Sequence, residues 1–153
     1  MHKLIATGLG IGYIRKGGGT VASLVCCGVW YALHPSVAQP GGYLVMVPLL
    51  ITLVITAVGI WSANVVEAEW GKDSYRVVID EVAGMCLSLL FVPITIKSML
   101  LGLFLFRLFD IAKPFGIRKL EKLRGGWGVM LDDLLAGLYA NIVLQMALAF
   151  SLL

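Results

Sequence analysis

Adjacent carboxylates occur twice in this sequence, as Asp80-Glu81 and as Asp132-Asp133. Each pair directly precedes an apolar stretch, where we expect a helix to begin, and Asp110 lies where another apolar stretch ends. A helix N-terminus stabilises one carboxylate by about 0.3–1 kcal/mol. Capping alone does not account for adjacent pairs, which repel each other, or for an anion at a helix C-terminus. Crowded carboxylates favour a Mg²⁺ site, with Asp80, Glu81, Asp132 and Asp133 as metal ligands and Asp110 as a ligand or base.

Two basic residues flank Asp110 at a spacing that suits phosphate binding. Arg107 lies three residues before Asp110 and Lys113 three residues after it, so all three share one face if the helix continues that far. An arginine close to hydrocarbon is costly and usually functional. We therefore predict that Arg107 and Lys113 bind a phosphate and stabilise its charge during reaction; the alternative is that Arg107 only pairs with Asp110.

A glycine-rich segment, "RKGGGTVASL", precedes the first long apolar stretch. Free backbone amides at a helix entrance, together with the hydroxyls of Thr20 and Ser23, are suited to binding a phosphate oxygen. The alternative is an ordinary turn with Thr20 as the N-cap residue. No Gly-Lys-Ser/Thr follows, so the segment is not a nucleotide-binding P-loop.

The composition predicts which solvent surrounds these residues. Of the 153 residues, 59% are hydrophobic and 14% are charged. A soluble domain of this size cannot bury so much apolar surface, so we expect a single integral membrane domain, residues 1–153, without a cleavable signal peptide. The three cysteines lie inside apolar segments and are expected to be buried small side chains. The net charge of +3 is mild, and no nucleic-acid partner is expected; the oligomeric state stays open.

Charge-poor windows predict an all-α fold of about five hydrophobic helices. The first and third windows are short and are expected to insert partly or to be re-entrant. The windows are residues 21–33, 42–66, 82–96, 98–109 and 134–153.

The charges predict how these helices are oriented. With a cytoplasmic N-terminus, only Lys97 falls on the far side and Arg107 lies within a helix, while every other lysine and arginine faces the cytoplasm. All nine acidic residues then lie on the cytoplasmic half as well. The helix ends that carry carboxylates are therefore expected at one membrane depth.

Four sequence blocks resemble one family of bacterial membrane enzymes. The blocks are "GGGTVASL", "KDSYRVVIDEVAGM", "FRLFDIAKPFGIRKLE" and "GGWGVMLDDLLAG", and together they span most of the chain. They are similar to phosphatidylglycerophosphatase A. The chain departs from the pattern expected of that family at Gly18, Gly116 and Glu121, where proline, proline and aspartate are usual.

The resemblance implies a Mg²⁺-dependent phosphatase in the bacterial inner membrane. Such an enzyme removes the phosphate from phosphatidylglycerophosphate at the cytoplasmic face, so its partner is a membrane phospholipid. The resemblance also implies that the acidic and basic residues named above form the site, with Asp73, Arg118 and Glu121 as secondary candidates.

Other chemistries fit the sequence less well. The histidines are His2 and His34, and His34 is expected on the far side of the membrane, which disfavours a histidine nucleophile. No Asp-x-Asp-x-Thr segment supports an aspartyl-phosphate enzyme, and the spacing of a CDP-alcohol phosphotransferase is absent. What remains is metal-assisted hydrolysis, in which water or a carboxylate is the nucleophile. The non-enzyme alternative is a small cation transporter or scaffold with a structural carboxylate cluster.

Overall fold

A computed structural model describes residues 1–37, 46–72 and 74–152, with only the backbone for 34–37. Over these residues the chain is all α-helical and contains no strand. A single 3-10 turn, Ile11–Tyr13, follows the first helix. The helices are α1 (His2–Ala6), α2 (Gly18–Val37), α3 (Met46–Trp70), α4 (Ile79–Ser88), α5 (Ile96–Ala112), α6 (Ile117–Leu120) and α7 (Gly126–Ala149).

The last helix, α7, is the centre of the fold. It packs against α3, α4, α5 and α6, while α2 packs against the opposite side of α4. The main core lies where α4, α5 and α7 meet and includes the fully buried side chains of Met85, Phe106 and Leu144. Because α7 contacts so many elements, its position determines where side chains from the other helices converge.

A close backbone contact joins α4 and α7. A Cβ atom added to Gly137 would collide with the carbonyl oxygen of Gly84, and one added to Gly84 would lie 2.7 Å from the carbonyl oxygen of Asp133. Only glycine allows two helices to come so near, since any side chain would separate their backbones.

Side-chain amides from α7 hold the far end of α4. The Nδ2 of Asn141 donates hydrogen bonds to the carbonyl oxygens of Ser88 (3.0 Å) and Leu90 (2.8 Å). The Nε2 of Gln145 donates to the carbonyl oxygens of Leu90 (3.3 Å) and Phe91 (3.2 Å). A helix leaves its last four carbonyl groups without intrahelical partners. The bond to Ser88 therefore satisfies one carbonyl that the end of α4 leaves free, and the other three hold the turn that follows the helix.

Two helix boundaries differ from the sequence expectation. Helix α7 begins at Gly126, not at Leu134, because the Oδ1 of Asn64 accepts a hydrogen bond of 2.8 Å from the Gly126 N–H. Asp132 and Asp133 thus lie in its second turn, and the expectation that they open the helix is wrong. Helix α4 stops at Ser88 rather than continuing to Ile96, since Thr95 and Ser98 form a capping box that begins α5.

The outer surface of the bundle is apolar. Leu53, Phe104 and Ile142 are each about half exposed or more, on three different helices. Contiguous exposed apolar surface indicates contact with lipid or with another apolar partner. Within the described residues, α3 and α7 are long and apolar enough to cross a membrane by length and composition. The count of five membrane helices and the cytoplasmic N-terminus stay predictions.

The three cysteines are free and buried, as expected. The Sγ atoms of Cys26 on α2 and Cys86 on α4 lie 3.5 Å apart, so they pack the interface between these helices.

Candidate active site

The charged helix ends surround one polar cavity of about 250 Å³. It lies near the beginnings of α2, α4 and α7 and at the end of α5, so three of these helices run away from it and one runs toward it. Seven of the residues predicted for the site line this cavity: Asp80, Glu81, Arg107, Asp110, Lys113, Asp132 and Asp133.

Three carboxylates form the acidic centre of the cavity. Asp80, Glu81 and Asp133 each present an oxygen atom, and these oxygens all lie within 4.8 Å of one another. The Oδ1 of Asp80 and the Oε2 of Glu81 are buried without a hydrogen-bond partner. A buried carboxylate oxygen without a partner is costly, and so is the repulsion between the three groups. An all-oxygen donor set of this kind fits a hard divalent cation such as Mg²⁺.

The contact between α4 and α7 explains why two of these carboxylates meet. Asp80 lies four residues before Gly84, and Asp133 lies four residues before Gly137. Residues four apart lie on the same face of a helix, one turn from each other. Each aspartate is therefore one turn from the glycine at which the two backbones touch. Close packing of the backbones holds the two carboxylates together against their repulsion.

Glu81 is held by the beginning of α2. Its carboxylate fills the space that a side chain at position 19 would occupy, so Gly19 is the residue that admits it. The N-terminus of a helix carries a partial positive charge and free amides, which favour an anion. Helix α2 has no acidic residue in its own first turn, and Glu81 takes that place from α4.

Arg107 contributes a guanidinium group with unused donors. Its Nη1 lies 2.7 Å from the Oδ2 of Asp110 and 3.9 Å from the Oε1 of Glu81. Neither its Nε nor its Nη1 makes a hydrogen bond of good geometry, although both atoms are buried. Arg107 is thus not fully satisfied by Asp110. Its free donors are suited to an oxyanion in the cavity.

Lys113 lies at the end of α5 in a left-handed conformation, with φ of 46°. Its Nζ is 2.8 Å from the Oδ2 of Asp132 and 3.2 Å from the Oε1 of Glu121. Burial lowers the pKa of the Lys113 ammonium, but its hydrogen bonds to Asp132 and Glu121 outweigh burial and raise that pKa above its usual value. Lys113 is therefore a permanent cation at the wall of the cavity.

An aromatic side chain from α7 holds the turn that carries Lys113. The hydroxyl of Tyr139 donates a 3.0 Å hydrogen bond to the carbonyl oxygen of Phe115, and the two rings make an edge-to-face contact. A non-glycine residue in the left-handed region costs of order 1–3 kcal/mol and persists where the surroundings fix it. Tyr139 and the two carboxylates that bind Lys113 provide that support.

The structure does not bring the other predicted residues into the cavity. Helix α2 begins at Gly18, so Thr20 is within the helix rather than its cap, and the Oγ of Ser23 donates to the carbonyl oxygen of Gly19. The part of this segment that lines the cavity is residues 17–19 and not the two hydroxyls. Arg118 is exposed and Glu121 reaches the site only through Lys113. Asp73 lies outside the described residues.

Three further side chains line the mouth of the cavity: Arg15, Ser74 and Tyr75. The sequence contains a signal for each of them. Arg15 directly precedes the glycine segment, and Ser74 and Tyr75 are part of the block "KDSYR". Sequence reasoning used Arg15 only to orient the chain, because a basic residue in a loop near a membrane has an ordinary topological explanation.

Comparisons with known proteins agree with this site. The family model for phosphatidylglycerophosphatase A matches residues 4–148. A Bacteroides thetaiotaomicron protein, provisionally named a phosphatidylinositol-3-phosphatase, is 40% identical over 94% of this chain and 91% of its own. Proteins named phosphatidylglycerophosphatase A are 36% identical in Haemophilus influenzae (92% of this chain, 84% of that one) and 29% identical in Escherichia coli (92% and 80%).

No solved structure gives a significant match to the chain. The family match covers the helices that carry every residue of the acidic centre and both basic residues beside it. A lipid phosphatase is the class of enzyme that these matches and this cavity support together. The chain belongs to the phosphatidylglycerophosphatase A family.

Proposed function

We propose that this protein is a Mg²⁺-dependent phosphatase that converts phosphatidylglycerophosphate to phosphatidylglycerol and inorganic phosphate. The observation that carries the proposal is the charge of the cavity. Within the described part of the chain, Asp80 and Asp133 have no ion-pair partner, and they lie beside Arg107, which has donors to spare, at one end of a bundle with an apolar exterior. A phosphate on a lipid headgroup, accompanied by a divalent cation, has the charge and shape that this arrangement requires.

The acidic centre is the proposed metal site. Asp80, Glu81 and Asp133 would hold Mg²⁺, and Asp132 has a buried Oδ1 without a hydrogen-bond partner that makes it a further candidate ligand. The Oδ2 of Asp132 already accepts a hydrogen bond from Lys113, so only the Oδ1 of Asp132 is available to a metal ion. When bound, Mg²⁺ would neutralise the carboxylates and polarise the phosphoryl group.

The basic residues would bind and orient the phosphate. The free donors of Arg107 and the ammonium of Lys113 point at the same cavity, which would place phosphate oxygens between them. These cations would stabilise the charge on the phosphoryl group as the bond from water forms and the ester bond breaks. Asp110, beside Arg107, is the candidate base that would take the proton from the attacking water and return it to the departing alkoxide, so that the product leaves as an alcohol.

The proposed location is the bacterial inner membrane, with the cavity facing the cytoplasm. Two features support it: the apolar exterior with two helices of membrane-spanning length, and the lysines and arginines concentrated at the cavity end. A substrate in the same leaflet would then present its phosphate to the cavity from the headgroup layer.

A second substrate is favoured by one relative. The Bacteroides thetaiotaomicron protein named for phosphatidylinositol 3-phosphate is 40% identical to this chain. In both lipids, the headgroup is joined to diacylglycerol through one phosphate and carries a second phosphate as a monoester. The same acidic and basic groups would therefore act on either. The two headgroups differ in bulk, and the mouth of the cavity, formed by Arg15 and Tyr75, is where that difference would matter.

Phosphate release by the purified protein in mixed micelles tests the proposal. Phosphatidylglycerophosphate, phosphatidylinositol 3-phosphate and phosphatidic acid are compared with Mg²⁺ and with excess chelator. We expect release that requires Mg²⁺ and is fastest with phosphatidylglycerophosphate. Faster release from phosphatidylinositol 3-phosphate would reassign the substrate. No release from any lipid by folded protein would overturn the phosphatase and favour a cation transporter or scaffold, which Mg²⁺ flux into proteoliposomes would reveal.

A further inference from the structure

An apolar groove of about 230 Å³ lies next to the polar cavity. Helices α2 and α3 both pack on α4, and the groove runs between them with Val82 and Cys86 of α4 as its floor. Every residue that lines it is glycine or carries an apolar side chain. Within the described part of the chain, its one unpartnered side-chain donor is the buried Nε1 of Trp30, and the rest of the lining suits a hydrocarbon chain.

The groove adjoins the cavity along three segments of chain. On α4, Glu81 lines the cavity and the next residue, Val82, lines the groove. On α2, Gly19 lines the cavity and Ala22, about one turn later, lines the groove. In the N-terminal turn, Ile14 faces the cavity and Ile11 the groove. A molecule that enters both must therefore be polar at one end and apolar at the other.

The length of the groove matches one leaflet of a membrane. Its lining on α2 extends from Ala22 to Leu33, which is about 16 Å along a helix axis. Half of the hydrocarbon core of a bilayer is about 15 Å thick.

We propose that this groove binds one acyl chain of the diacyl phospholipid whose phosphate occupies the cavity. The inference rests on the proposed function, and it assigns a place to the part of the substrate that does not react. Headgroup and acyl chain would bind to the two sides of one short stretch of α4, so the groove fixes the phosphate relative to Glu81. If the acyl chain no longer binds in the groove, the KM for the lipid should rise much more than kcat falls.

Two adjacent residues of α2 make a matched test. Val25 and Leu24 are exposed to nearly the same extent, 47% and 49%, but only Val25 lines the groove. Tryptophan at position 25 would fill the groove, while tryptophan at position 24 adds the same bulk on a surface outside it. Val29→Trp, which also alters a half-exposed groove residue, is the second variant in case Val25→Trp does not fold.

The assay compares dioleoyl phosphatidylglycerophosphate in mixed micelles with glycerophosphoglycerophosphate, the same headgroup without acyl chains. In Val25→Trp the ratio of kcat/KM on lipid to kcat/KM on the headgroup should fall by about tenfold or more, since several methylene groups lose their burial. Leu24→Trp should keep the wild-type ratio. If the wild type is active and the two variants have the same ratio of kcat/KM on lipid to kcat/KM on the headgroup, the groove does not bind an acyl chain. The proposed phosphatase activity would be unaffected by that result.

A second measurement decides the matter without activity. A dioleoyl-length phosphatidic acid with a photoreactive diazirine near the end of one chain is crosslinked to the wild-type protein in micelles. We expect label on groove residues of α2 and α3, and its loss in Val25→Trp but not in Leu24→Trp. Label spread evenly over the apolar exterior in all three proteins would show that the groove holds only bulk lipid or detergent, and would overturn the inference. Absence of hydrolysis by the wild type, by contrast, bears on the proposed function alone.

Discussion

The contact between α4 and α7 and the turn between α5 and α6 both bring charge to the cavity, but they balance it in opposite ways. At the α4–α7 contact, Asp80 and Asp133 have no ion-pair partner within the described part of the chain. At the α5–α6 turn, Arg107 faces Asp110, and Lys113 faces Asp132 and Glu121. The two carboxylates of the first region would need a cation from outside the chain to balance their charge. In the second region, basic side chains balance the carboxylates. The difference distinguishes the region proposed to bind a metal from the region proposed to bind a phosphate within one cavity.

The largest effect should follow from Asp133→Asn. We expect kcat/KM to fall by about a thousandfold or more, because a metal ligand contributes several kcal/mol to the transition state. In chelator, however, the variant should unfold at a higher temperature than wild type, since one of three crowded carboxylates is neutralised. Phosphate release and thermal unfolding in detergent measure the two effects. Near-normal turnover would remove Asp133 from the site.

The same variant distinguishes a metal ligand from a general acidic residue. Mg²⁺ should raise the unfolding temperature of wild type, as any ligand of the folded state does, and should have much less effect on Asp133→Asn. Glu67→Gln is the matched control, because Glu67 lies at the same end of the bundle on α3 but does not line the cavity. An equal response to Mg²⁺ in Asp133→Asn and wild type would argue against the metal site.

Gly137→Ala should have the next largest effect. Its new methyl group would collide with the carbonyl oxygen of Gly84 and push α4 from α7, at a cost of about 1–3 kcal/mol in stability. Displacing a reacting group by about 1 Å can reduce the rate by about a hundredfold. Gly28→Ala is the control: a methyl group there meets open space, and replacing a helical glycine stabilises by about 0.5–1 kcal/mol. Equal activities of the two variants would show that the glycine contact does not position the carboxylates.

Arg107→Lys should have a smaller effect, which tests the second region. Lysine keeps the charge but lacks the guanidinium donors, so we expect kcat to fall by about tenfold with a lesser change in KM. The substitution Arg118→Lys on the exposed face of α6 serves as the control. An unchanged kcat in Arg107→Lys would mean that the residue acts only as a counter-ion to Asp110.

The smallest effects on activity are expected at two residues that were predicted from the sequence to belong to the site. Arg118→Ala and Ser23→Ala should each change kcat/KM by less than about twofold, because neither side chain reaches the cavity. Steady-state kinetics on the lipid would check both. A large loss of activity in Ser23→Ala without loss of stability would restore its hydroxyl to the phosphate site.

The residues that line the cavity were largely predictable from the sequence because charge is rare in it. With so few charged residues, each carboxylate or cation beside an apolar stretch was noticeable, and seven of the predicted residues line one cavity. Helix boundaries were less predictable, since charge-free windows assume that charges end a helix. Asp132 and Asp133 lie inside α7 because the protein itself surrounds them.

Contacts between distant segments were not predictable from the sequence. The glycines at 84 and 137 lie in different blocks, and nothing in their spacing shows that their backbones touch. Nor did the hydroxyls of Thr20 and Ser23 reveal that the backbone of residues 17–19 would face the cavity instead. Such facts depend on how helices cross, which local patterns do not encode.

The side-chain amides of Asn141 and Gln145 fix one end of α4 and leave its other end freer to move. With its far end fixed near Ser88 by four hydrogen bonds, the helix can move at its other end mainly by rotating about that point. Asp80 lies about 12 Å from this pivot, so a rotation of about 5° shifts its carboxylate by about 1 Å. A tilt of only a few degrees would therefore disturb the site, and the amides at the far end of α4 limit that tilt together with the glycine contact near Asp80.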